Sequence, residues 1–254
     1  MNPLAQQVEQ KRQDAQQEAK AFFDQVESVL RWVPPPLENM IDPIVQGMRL
    51  LAEKVAELWD HVGHLIDQWG DPDRLKQVGE QWVAQVGNVL GDIAGTVAID
   101  KLRTTVEWEG RAARAYHSVV PAQAAGLNAV KDIANQMRSS LTALANAIEA
   151  FQTTMLFAVI SFGVGAVGAI LTAASVVGIP VGIAALSGAC GVALTLLTTA
   201  VLAMQSQVNT IETEQTTIMQ KIHDLGSEWV MPDTRAMRDA SATDGDGSDW
   251  RPGS

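Results

Sequence analysis

Between Ala150 and Ile211 the chain carries no Asp, Glu, Lys or Arg, although charged sequence flanks the stretch on both sides, beginning at Glu149 and Glu212. Two apolar runs, Thr154–Val177 and Val181–Met204, lie inside it and are separated by Gly178-Ile179-Pro180. Each run has about 24 residues, which as α-helix would extend roughly 36 Å, whereas the hydrocarbon core of a bilayer needs about 20 apolar residues. Pro180 cannot sit inside a helix and disfavours helical backbone at Ile179, so the Gly-Ile-Pro break predicts a tight turn near residues 178–181. The expected object is a helical hairpin long enough to enter a membrane, carried on a water-soluble body.

The rest of the composition narrows the function. Aromatic residues are only 5% of the chain, with 7 Trp and 1 Tyr, while Ala, Val, Leu, Gln and Thr abound, a mixture that suits helices better than sheets. A formal net charge of −11 argues against nucleic acid as a partner, because little is available to neutralise phosphates. It also excludes simple attraction to anionic lipid, so membrane binding would be driven by apolar burial. Cys190 is the sole cysteine, which excludes an intramolecular disulfide. Met1-Asn2-Pro3 followed by a Gln/Glu/Lys-rich helix does not read as a secretory signal. The expectation is a protein that stays in the cell or leaves by a route that accepts folded helices.

Periodicity divides the chain into segments 1–69, 70–150, 151–204, 205–230 and 231–254. Leu4–Arg31 predicts an amphipathic helix with Val8, Ala15, Ala19, Phe22, Val26 and Val29 on one side, stopped by Pro34-Pro35-Pro36. From Leu37 to Trp69 the apolar residues Leu37, Ile41, Ile44, Met48, Leu51, Val55, Leu58, Val62, Leu65 and Trp69 alternate spacings of four and three, a seam that requires a partner helix. Asp71 is a candidate N-cap, with Pro72 at the first position of a third helix expected to reach about Val106. That helix carries Leu75, Val78, Trp82, Val86, Leu90, Ile93 and Val97, and also Gly87, Gly91 and Gly95 at spacings of four. The glycine stripe suggests close approach of another helix backbone; a frayed or kinked helix is the alternative.

A further helix is expected from Arg111 with a kink at Pro121. Its seam, Val130, Ala134, Met137, Leu141, Leu144, Ile148 and Phe151, has a counterpart beyond the apolar runs in Met204, Val208, Ile211, Gln215, Ile218, Ile222 and Leu225. With a turn near 178–181, Leu144 would face Gln215 and Leu141 would face Ile218. The predicted fold is all-α: an elongated helical bundle whose coiled-coil stalk of about 30 Å ends in an apolar tip. The residues expected to enter the membrane are Phe157, Phe162, Gly165, Gly168, Ile179, Pro180, Leu186, Leu196 and Leu197. Residues 231–254, rich in Pro, Asp, Gly and Ser, are expected to be disordered.

Trp108-Glu109-Gly110 falls between two predicted helices. With Gly70-Asp71-Pro72-Asp73-Arg74-Leu75 and Trp82 before it, and Arg111-Ala112-Ala113-Arg114-Ala115-Tyr116 after it, this region resembles the WXG100-type substrates of bacterial type VII secretion over about residues 70–150. The resemblance implies a helical hairpin turned at Trp108 and Gly110, with Gly110 free to take a positive φ. Such relatives usually carry a Tyr-x-x-x-Asp/Glu export signal. Here Tyr116 is followed four residues later by Val120, so the resemblance implies export that depends on a partner, or none. The apolar hairpin resembles, in architecture alone, the α-helical pore-forming toxins of the cytolysin A and haemolysin BL kind.

No catalytic constellation emerges, and neither an enzyme nor a cofactor is expected. His61 and His64, with Asp60 and Asp67, lack a third defined ligand and read as a solvated helix face. The glycines of Ser161–Gly168 lack the Lys-Ser/Thr of a phosphate-binding loop. Glu212 and Glu214 keep one end of the apolar stretch in water. Three functions remain open: a membrane-active protein that inserts its hairpin as an oligomer, a constitutive two-span membrane protein, and a soluble helical secretion adaptor. The partners expected are a lipid bilayer and either further copies or a second helical-hairpin protein. Two helices per chain cannot enclose a channel alone, so a pore needs several copies.

Overall fold

The computed structural model describes residues 3–67, 69–103, 108–109, 111–226 and 251–252. These form helices α1 (Pro3–Leu30), α2 (Ile41–Asp67), α3 (Pro72–Trp82), α4 (Asn88–Thr96), α5 (Arg111–Thr172) and α6 (Ile179–Asp224). Short 3-10 turns cover Pro35–Met40 and Ile99–Lys101, and a π turn, Val83–Gly87, joins α3 to α4. The protein is all-α apart from two-residue strands, β1 (Trp108–Glu109) and β2 (Arg251–Pro252), which pair antiparallel. The long α5–α6 pair packs as a hairpin.

The chain divides into two compact units. Unit 1 comprises residues 1–72 and 145–208, and unit 2 comprises 73–144 and 209–254. In unit 1 the expected seams are the buried ones: Val8, Ala15, Ala19, Phe22 and Val26 of α1, and Ile44, Leu51, Val55, Leu58 and Val62 of α2. They share one core with Met155, Ala158, Val159, Phe162, Ala166, Ala169 and Ala173 of α5 and Ile179, Leu186, Cys190, Ala193 and Leu197 of α6. Glycines set the close approaches. A β-carbon placed on Gly163 would lie 3.5 Å from the Ala15 methyl, one on Gly182 3.0 Å from the Phe22 ring, and one on Gly47 3.2 Å from Ile183. Gly70 sits against Ile148. These four contacts fix directions: α1 runs alongside α5 toward the hairpin turn, and α2 begins near the turn and runs away from it.

The turn lies earlier than expected, at residues 173–178. Ser175 organises it: the Gly178 and Ile179 N–H groups donate to its carbonyl at 3.0 and 3.1 Å, and Gly178 N–H also reaches its hydroxyl. A side chain on Gly178 would collide with the Thr172 carbonyl. Pro180 therefore starts α6 instead of breaking the hairpin, because an N–H in the first turn of a helix has no intrahelical acceptor to lose. The earlier turn moves the register by about one helical turn. In unit 2 the Ser140 hydroxyl hydrogen-bonds the Glu214 carboxylate, and Lys221 donates to Gln136 at 2.7 Å, in place of the expected Leu144–Gln215 and Leu141–Ile218 pairs.

The predicted third helix is split and shorter, ending at Thr96 after the π turn. Its small face packs on α5: β-carbons on Gly79 and Gly87 would lie 3.3 Å from Arg138 Cα and 3.2 Å from the Ala134 methyl. Trp82 and Ile93 of its apolar series are exposed, and Gly79, Gly87 and Ala94 are buried. α5 continues through Pro121 as helix; the missing N–H there leaves the His117 carbonyl without its intrahelical donor. α6 ends on Gly226, whose φ of 77° is the left-handed backbone of a helix C-terminus.

Candidate functional site: the apolar hairpin

Both hairpin helices are long and apolar enough to cross a bilayer, and only 33% and 28% of their most apolar windows are buried. The hairpin's two faces differ in kind. The inner face, covered by α1 and α2, is rich in small residues: Ala158, Ala166, Ala169, Ala173 and Ala193, with Phe162, Ile179, Leu186 and Leu197 filling between them. The Phe162 ring meets Trp59 of α2 edge-to-face at 5.2 Å.

The outward face is also apolar. On α5, Phe157, Ile160, Val164, Val167 and Leu171 are exposed at alternating spacings of three and four; on α6, Val181, Val192 and Leu202 are exposed. Threonine hydroxyls on this surface donate back into their own helices, from Thr154 to the Ala150 carbonyl, Thr195 to Gly191, Thr198 to Leu194 and Thr199 to Thr195, all at 2.8–2.9 Å. Hydroxyls satisfied within the helix do not resist an apolar medium. At the far end of the uncharged stretch Gln152 is buried, and its amide donates to the Gly70 carbonyl at 3.0 Å, tying the α2–α3 loop to α5.

The residues expected to enter a membrane separate accordingly. Phe162, Ile179, Leu186 and Leu197 are buried on the inner face, and Leu196 is half-buried. Phe157, Gly168 and Pro180 face outward. Gly165 lies between the two helices, against Ala189. The outward residues Ile160, Val164, Val167 and Leu171 lie outside the set expected to insert, because an apolar stretch carries no sequence signal of which face looks out.

Gly87 and Gly91 pack on α5, Gly91 against the Lys131 side chain, but nothing lies within 4 Å of a β-carbon on Gly95. The small face is therefore Gly79, Gly87 and Gly91. The helical turn expected at Trp108 is instead a strand pairing with Arg251–Pro252, and Gly110 lies outside the described residues. Of segment 231–254, only Arg251–Pro252 is described. His61 and His64 are exposed on α2, and no cluster of three metal-ligating side chains forms among the described residues.

α1 covers the hairpin with a polar helix. Its Arg12 guanidinium donates to Glu9 at 2.6 and 2.8 Å, which holds the Glu9 carboxyl below the usual carboxylate range and raises the Arg12 pKa. A shallow cleft remains where Lys11, Asp14 and Glu18 stand over Val159, Gly163, Val164 and Val167.

No family model matches the chain, and comparison with curated proteins and with solved structures finds no similar one. The chain is an all-helical protein with two long apolar helices, and no family is identified for it.

Proposed function

We propose that the protein is membrane-active: α1 and α2 leave the inner face of the hairpin, residues 154–204 insert into a bilayer, and several copies assemble into a pore. One observation carries this reading. Each hairpin helix is apolar on its covered face and on its open face, so the segment has no side suited to water once its cover is gone. The charged residues of α1 and α2, among them Lys11, Arg12, Arg49 and Glu53, suit a water-soluble form that precedes insertion.

The test is dye release from liposomes by the full chain and by Val164→Arg and Val192→Arg. Both valines are exposed, Val164 at 68%, so the variants keep the wild-type fold in water. A charge near mid-span costs about 2.5–3.5 kcal/mol on insertion scales, which lowers release about 10²-fold. Release at the wild-type rate from both variants would overturn the proposal. Recovery of the wild-type chain only in detergent would favour a constitutive two-span protein, and a soluble chain that releases nothing would favour an adaptor.

A further inference from the structure

We propose that one end of unit 1, where the hairpin turn and the α1–α2 loop lie together, is a docking tip for an electrically neutral lipid surface, and that it docks with α1 still in place. The inference rests on the membrane-insertion reading and adds the step before it.

The placement follows from the directions of the helices. With Ala15 at Gly163, Phe22 at Gly182 and Gly47 at Ile183, both the loop after α1 and the turn after α5 fall at the same end. That end is apolar and open. Trp32 in the loop is 80% exposed, Leu171 and Val177 at the turn are 75% and 63% exposed, and Val45 and Val181 beside them are exposed too. Turns that face water favour polar residues. This one holds a single polar side chain, Ser175, whose hydroxyl already accepts the Gly178 N–H. The N–H groups of Ala173, Gly178, Ile179 and Gly182 have backbone acceptors. An indole such as Trp32 suits the headgroup level, with an apolar body and a polar N–H.

Charge selects the lipid. The nearby cations are neutralised, Arg31 by Glu27 and Arg49 by Glu53, whereas Glu38 and Asp42 present exposed carboxylates at the same end. Anionic headgroups are repelled and zwitterionic ones are not. A second copy would bring the same carboxylates, and a second net charge of −11, against the first. Lipid is therefore the occupant assigned.

The experiment measures binding and release together, on vesicles of phosphatidylcholine alone and of phosphatidylcholine with phosphatidylglycerol. It uses the full chain, Leu171→Asp, Val177→Asp, and a lock, Ala15→Cys with Gly163→Cys, whose β-carbons at 3.5 Å suit a disulfide. Expected is stronger binding to phosphatidylcholine alone, with binding weakened about tenfold or more by either Asp variant while its melting curve stays wild-type. The oxidised lock should bind like wild type and release no dye until reduced. Failure of the oxidised lock to bind, wild-type binding by both Asp variants, or stronger binding to the anionic vesicles would each overturn the docking tip while leaving insertion standing. Self-association without vesicles that Leu171→Asp abolishes would also overturn it, in favour of a second copy. Wild-type binding without any dye release would instead sink the insertion reading and leave the tip.

Discussion

Replacing Gly165 by Ala should destabilise the protein, whereas the same change at Gly168, three residues away on the same helix, should stabilise it. In a helix interior Ala is favoured over Gly by about 1 kcal/mol, so propensity alone gives both variants that gain. At Gly168 nothing lies within 4 Å of the new methyl, and the gain is realised in full. At Gly165 the methyl would be driven into that of Ala189, with the Ala189 Cα 3.6 Å away. Ala189 has no flexible end to swing aside, so α6 itself must shift. Overpacking of this kind costs about 1–3 kcal/mol, which exceeds the propensity gain over most of that range. The expected difference between the two variants is about 1–3 kcal/mol, or several degrees in the melting midpoint for a chain of this size. Thermal and urea unfolding followed by circular dichroism measure it. Equal stabilisation by both substitutions would mean that α5 and α6 do not approach closely at Gly165, and the hairpin packing described above would be refuted.

Three more outcomes follow from the same geometry. Gly79→Ala should lose about 1–2 kcal/mol, because its methyl meets Arg138 backbone at 3.3 Å, while Gly91→Ala should be neutral or stabilising, since it meets only the flexible Lys131 side chain; urea midpoints compare them. Gln152→Ala removes the buried donor to the Gly70 carbonyl and should cost about 1–3 kcal/mol, with faster amide exchange at residues 69–71 as the local readout. The Glu9 carboxyl has its pKa depressed on folding by Arg12, so its contribution is present above the ordinary carboxylate pKa and is lost as pH falls through the depressed value. Because the pair is partly exposed and screened by solvent, Arg12→Met should remove under about 0.5 kcal/mol at neutral pH and nothing in strong acid; a pH series of urea midpoints reads the difference.

The amphipathic helices were legible because charge marks their outer faces. The Val8–Val26 and Ile44–Val62 series are buried as their spacing predicts. The hairpin also declared itself, since nothing but a helical pair fits so long an uncharged stretch. What could not be read was which way its helices face. Where every residue is apolar the polar/apolar period vanishes, and here the larger residues Val164, Val167 and Leu171 look outward while alanines look in. The turn was misplaced because Pro180 reads as a helix breaker, although it is equally at home in a first helical turn. That single displacement carried the stalk register with it. The third helix ends at Thr96, short of the expected Val106, because its apolar spacing continues past the point where the helical backbone stops. Trp108 pairs with Pro252, and Glu109 with Arg251, across a gap in sequence that no local spacing encodes.

The alanines beneath α1 have a second use. In water they share one core with a polar helix, whose Ala15 lies against Gly163. Hydrocarbon offers no hydrophobic drive to join helices, and association there depends on backbones that can come near one another. A hairpin stripped of α1 would present Ala158, Ala166 and Ala169 as such a surface. The groove that holds the cover in solution would then suit a neighbouring hairpin in lipid, so the cover and the assembly would compete for one strip of methyl groups.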